Sequence, residues 1–63
     1  MDDEKFNMSM RKFLKQVGVT SQQQIETIAR DGKLSGDTLK VKVVLTAEGT
    51  NLNHVVEGEI DLS

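Results

Sequence analysis

From Leu39 to Leu62 apolar residues recur at every second position, and this alternation commits the second half of the chain to a β-hairpin with one face to bury. In the first run the odd positions Leu39, Val41, Val43 and Leu45 are apolar, and the even ones are Lys40, Lys42, Val44 and Thr46. After Glu48, Gly49, Thr50 and Asn51, a cluster of turn formers, parity switches. Leu52, His54, Val56, Gly58, Ile60 and Leu62 now share one side, opposite Asn53, Val55, Glu57, Glu59 and Asp61. Only the even set of the second run can face a core.

Opposed residues of an antiparallel pair point to the same side, so the odd set of the first strand must meet the even set of the second. Two registers satisfy this. A two-residue turn at Glu48 and Gly49 sets Lys42 against Val55 and Val44 against Asn53. A four-residue loop over 48–51 instead pairs Lys40 with Glu59, Lys42 with Glu57 and Val44 with Val55 outside, and Leu39 with Ile60 and Val43 with Val56 inside. Matched cross-strand pairs contribute about 0.2–1 kcal/mol each. The second register collects more of them and is the expected one.

A chain of 63 residues makes a single domain, 1–63, and a domain of this size buries only about 60% of its unfolded surface. The absence of Cys excludes disulfides, and a single His leaves no side-chain set for a structural zinc site. No cofactor is expected. No apolar run is long enough to span a bilayer and no signal-peptide pattern is present, which points to a soluble cytoplasmic protein. Charge is segregated. Residues 1–4 carry three acids, residues 5–42 carry all eight bases against three acids, and residues 43–63 carry four acids and no base. The middle is thus +5 (8 − 3) and the two ends together −7 (3 + 4). In so small a fold this reads as compensation over short distances rather than as a nucleic-acid signature.

The first half reads as two helices. Asp2 or Asp3 caps the first, and Phe6, Met10, Phe13, Leu14 and Val17 form its apolar stripe at 100° per residue. Gly18 suits a left-handed stop with Val19 packing back on Leu14, and Thr20 or Ser21 caps a second helix with Gln23 or Gln24 three residues on. That helix carries Ile25, Ile28 and Ala29 on one face and stops near Asp31 and Gly32. Residues 33–37 form a loop in which Leu34 tucks under the sheet. The expected class is α+β, a small two-layer ααββ domain with a helical hairpin packed on one face of the C-terminal antiparallel β-hairpin.

The run Phe6-Asn7-Met8-Ser9-Met10-Arg11-Lys12-Phe13-Leu14-Lys15, then Val17-Gly18-Val19-Thr20-Ser21-Gln22, and the closing Gly58-Glu59-Ile60-Asp61-Leu62 resemble a family of small bacterial proteins known only as a domain of unknown function. The similarity spans most of the chain and is strongest in the first 22 residues. It implies a bacterial, cytoplasmic protein and brings with it no activity, ligand or site.

Each constellation that might carry chemistry has a plainer reading. Residues 14–28 invite a DNA-binding helix-turn-helix reading. Leu14 stands where that motif wants a small residue, Gln24 where it wants an apolar one, and Glu26 and Asp31 oppose phosphate contact. Nucleic acid is therefore disfavoured, and a DNA-binding regulator is the alternative rather than the first reading. His54 falls on the apolar face, where a partly buried His hydrogen-bonded at the rim of the core is expected before a general base, which needs an orienting partner and a pocket. Ser9, Thr20 and Ser21 read as surface or capping residues, because His54 is the only imidazole that could activate a nucleophile. Glu57, Glu59 and Asp61 resemble a cation site, but lysines face two of them. No catalytic residue, no metal ligand and no enzymatic activity is expected.

What remains is a non-enzymatic protein-interaction module or adaptor. Two surfaces compete for the role. One is the outer sheet face with Val44 and Val55. The other is the face of the first helix with Met8, Arg11, Lys12 and Lys15, where an adaptable apolar side chain among three cations suits an acidic protein partner. A monomer is favoured over a homodimer, since Glu57, Glu59 and Asp61 would crowd like charges if two last strands paired.

Overall fold

The structure, a computed structural model, describes residues 1–32 and 34–63. The chain divides into two units, Met1–Lys33 and Leu34–Ser63. Their elements follow in the order α1 (Asp3–Arg30), β1 (Thr38–Thr46) and β2 (Asn53–Asp61), which makes the class α+β. Lys33, assigned by the sequence to a loop, lies outside the described residues.

The first unit corrects the expectation of a helical hairpin: α1 is one helix of 28 residues, about 42 Å long at 1.5 Å per residue. Its start is the expected one. Asp2 is extended (φ −85°, ψ 105°), and its carboxylate accepts hydrogen bonds from the amides of Glu4 at 3.0 Å and Lys5 at 3.1 Å. Asp3 and Glu4 add negative charge to the first turn, where the helix dipole favours it. The end is also the expected one. The Asp31 amide donates to the carbonyls of Thr27 at 3.2 Å and Ile28 at 3.3 Å, and Gly32 then takes φ +69°, the left-handed position that ends many helices.

Between these ends the helix does not stop at Gly18. Breaking it there would strand up to four carbonyls before the turn and four amides after it, whereas a mid-helix Gly costs about 0.5–1 kcal/mol relative to Ala. A net value of about 0.5–1.5 kcal/mol per hydrogen bond decides the balance for continuity. The chain contains no Pro to force the issue. Thr20, read as a cap, instead donates its hydroxyl to the Gln16 carbonyl at 2.8 Å, and Thr27 does the same to Gln23 at 3.0 Å. Both are the i−4 bonds of a hydroxyl inside a helix. Val19 is therefore not the apolar partner of Leu14, because five helical positions place the two about 140° apart. The turn on which the helix-turn-helix reading rested is helix.

The second unit follows the expected register throughout. β1 and β2 pair antiparallel with Leu39 opposite Ile60, Lys40 opposite Glu59, Lys42 opposite Glu57, Val43 opposite Val56, Val44 opposite Val55 and Leu45 opposite His54. The chain reverses over residues 47–52, held by three bonds. The Thr50 amide donates to the Ala47 carbonyl at 3.3 Å, the Thr50 hydroxyl donates to the same oxygen at 2.8 Å, and the Leu52 amide donates to the Thr50 hydroxyl at 3.2 Å. Gly49 supplies the positive φ (+74°) that this turn needs at its third residue. Leu39, Val41, Leu45 and Ile60 are half-buried on the apolar side, and Leu34 and Leu62 are half-buried beside the strands. His54 departs from expectation: it is exposed rather than partly buried, and so are Val43 at 46% and Val56 at 52% on the same side, although Leu45 opposite His54 is half-buried. Among the described residues none is fully buried.

Two glycine substitutions should therefore move stability in opposite directions. Nothing lies within 4 Å of a Cβ built at Gly18, so Gly18→Ala should raise helix content and stability by about 0.5–1 kcal/mol. Gly49→Ala forces a Cβ into the left-handed region and should cost about 1–2 kcal/mol. Thermal melts followed by far-UV circular dichroism check both, and a Gly18→Ala loss would mean that the helix is broken there. The register has its own check. Lys42→Glu should destabilise the hairpin, and Glu57→Lys added to it should restore about 0.2–1 kcal/mol, read from a double-mutant cycle.

Candidate functional site

An unbroken helix places side chains by angle alone, and at 100° per residue Met8, Arg11, Lys12 and Lys15 fall within an arc about 100° wide. The structure thus brings together the four residues expected from the sequence, all exposed, with Met8 at 67%. Met8 has Arg11 three residues on and Lys12 four residues on, and Arg11 has Lys15 at the next turn, so the apolar side chain lies along the edge of a cationic patch. Like charges at i,i+4 cost a helix about 0.2–0.5 kcal/mol. A surface tuned only for its own helix would carry an acid at position 15.

Sequence reasoning missed one member of this face. Val19 stands one turn beyond Lys15 on the same side, 47% exposed, and sets a second apolar side chain about 16 Å beyond Met8 with Lys12 and Lys15 between them. It was hidden by the assumption that the helix ended at Gly18. Had the cost of a lone Gly been weighed against the stranded backbone groups, the i,i+4 step from Lys15 to Val19 would have revealed it.

Farther along the same side the charge is already answered. Glu26 lies 3.9 Å from Arg30 and accepts a hydrogen bond from the Gln22 side-chain amide at 3.0 Å. Among the described residues no carboxylate lies within 4.0 Å of Arg11, Lys12 or Lys15. The cationic charge is therefore concentrated over residues 5–15, which hold four bases and no acid.

The competing surface on the sheet is built differently. Val44 and Val55 are paired and exposed, at 54% and 45%, and flanked by lysines that face glutamates across the strands. A shallow hollow beside them is lined by Lys40, Val41, Lys42, Glu57, Gly58 and Glu59, charges of both signs in equal number. It offers a mixed surface rather than one selective for either sign. Ser9 donates to the Phe6 carbonyl at 3.1 Å, so its hydroxyl serves the helix as Thr20 and Thr27 do. Among the described residues no three His, Asp or Glu side chains gather as a metal site would require, and no helix is long and apolar enough to cross a membrane.

The exposure of the two helix methionines makes a direct check on this face. Met8 at 67% should be oxidised by peroxide ahead of Met10 at 41%, as read from peptide mass spectrometry over time. Equal rates would place Met8 against something that shelters it.

Neither a curated protein nor a solved structure matches this chain. One family does, the Family of unknown function (DUF6494), and its match runs over residues 1–63. It bears out the resemblance carried by the segments 6–15, 17–22 and 58–62, and the chain belongs to that Family of unknown function (DUF6494).

Proposed function

We propose that this chain is a non-enzymatic protein-interaction module that uses the Met8, Arg11, Lys12, Lys15 and Val19 face of α1 to hold an acidic segment of a partner protein. The observation that carries the reading is a pair of exposed apolar side chains, Met8 and Val19, flanking three cations that no acid among the described residues neutralises, on a helix that is already formed. A preformed helix loses little freedom on binding, so contacts made on it are retained as affinity. Met adapts to an apolar anchor of varied shape, and Arg adds bonds to carboxylates that are stronger than neutral ones. The three cations speed encounter with an acidic chain and set its polarity.

A titration with a synthetic peptide tests this, using Glu residues around a central Leu anchor and fluorescence anisotropy as the readout. Full burial of a Met side chain is worth about 1.5–3 kcal/mol, so Met8→Ser should weaken binding about tenfold or more. Arg11→Glu with Lys15→Glu should abolish it, and both variants should keep the circular dichroism of the parent. Duplex DNA or anionic vesicles, using the same charges, would tolerate Met8→Ser and release steeply with salt. Peptide binding untouched by either variant would leave this face as solvated scaffold and pass the role to Val44 and Val55.

A further inference from the structure

The other side of α1 carries a row that the continuous helix makes unbroken: Phe6, Met10, Phe13, Val17, Ser21, Ile25 and Ile28, with Leu14 at its margin. Successive members are 4, 3, 4, 4, 4 and 3 residues apart. That is about 3.67 residues per step, so the row drifts by only about 40° around the helix from Phe6 to Ile28, in the sense of a right-handed supercoil. Phe6, Phe13 and Leu14 each leave about half of their surface open, and Val17, Ser21 and Ile25 are half-buried.

We propose that this row is the seat of a second copy of the chain, docked antiparallel about a twofold axis at Val17. The row is its own complement in that arrangement. Each position i then faces position 34 − i of the other copy. Val17 meets Val17, Phe6 meets Ile28, Met10 meets Gln24 beside Ile25, and Phe13 meets Ser21. The last pairing accounts for a small polar residue in the middle of an apolar row, since a ring on one helix needs a gap on the other. A contact of this kind uses the same patch on both copies and closes as a dimer.

Shape selects the antiparallel sense: parallel copies would set Phe13 against Phe13 and leave Ser21 against Ser21, a clash beside a gap. The area is also sufficient. Seven large or medium side chains, each offering roughly 85 Å² at their present exposure, give on the order of 1,200 Å² for the pair, the lower bound of a stable interface. The partner-binding face lies opposite the row, so the two sites are independent and their tests are separable.

The chain has no cysteine, so single Cys substitutions on the full chain serve as clean spin-label sites. Sedimentation equilibrium should give a dimer at micromolar concentration. Labels at Gln16→Cys should lie close together, offset by about 3 Å along the axis, and labels at Glu4→Cys should be offset by about 39 Å. Val17→Glu should weaken the dimer at least a hundredfold, and Val19→Ser, on the opposite face, should leave it unchanged. Ser21→Phe adds apolar surface without threatening the helix. It should weaken the dimer about tenfold or more by filling the gap for Phe13, and Phe13→Ser in the same chain should restore it. A monomer, whether its row is met by the chain's own hairpin or by vesicles, overturns the proposal. So do short distances at both labels, or tighter association of Ser21→Phe.

Discussion

The hydrogen-bond ladder running through Gly18 is the constraint on which the first half of the molecule depends. One residue of poor helix propensity sits in the middle of α1, and the chain accepts its cost because interrupting the ladder would cost more. Two surfaces follow from that continuity. The cationic face gains Val19, and the apolar row extends from Phe6 to Ile28 instead of ending at Val17. Neither surface would exist at its present length on a helix of four turns followed by another at a different angle.

The hairpin rests on a different kind of constraint. Its two strands have no third strand beside them among the described residues, so register has to be set by side-chain parity and by the turn. Parity forbids every pairing that would mix the apolar and polar faces, and the Lys40–Glu59, Lys42–Glu57 and Val44–Val55 partners select between those left. The Ala47 carbonyl accepts from both the amide and the hydroxyl of Thr50, which fastens the loop at the length this pairing requires. Helix and hairpin thus each carry a well-defined apolar side, and among the described residues no side chain is fully buried.

The legible parts of the sequence were those in which one physical term dominated. The register could be read because side-chain period and the Lys40–Glu59 and Lys42–Glu57 charge pairs select the same pairing, and the ends of α1 because Asp2 and Gly32 stand where caps belong. Gly18, Val19, Thr20 and Ser21 misled because each has two roles of similar cost. A Gly can stop a helix or be carried by it, and a Thr hydroxyl can accept from an amide at a cap or donate to the carbonyl four residues back. Local pattern cannot separate these, since the deciding quantity is the summed cost of the stranded backbone groups on both sides. The same error concealed Val19 from the candidate site, although Met8, Arg11, Lys12 and Lys15 were placed on one face correctly because they lie before the ambiguous stretch. His54 was misjudged for another reason. Alternation gives the side of a sheet on which a residue lies, but not how much protein covers that side, and Val43 and Val56 on the same side are exposed too.

The unlike charge of the two strands has a consequence for behaviour at high concentration. Like edges repel, since β1 would bring Lys40 and Lys42 together and β2 would gather Glu57, Glu59 and Asp61. Unlike edges do not. Another copy's β2 laid beside the outer edge of β1 in the native register would meet the same lysines with the same glutamates, on the same face, about 4.8 Å away. That contact is head-to-tail, so it leaves a fresh edge at each end and grows into a ribbon rather than closing. With no Pro anywhere in the chain to interrupt an edge, the charge pattern that fixes the hairpin raises no barrier against that unlike pairing.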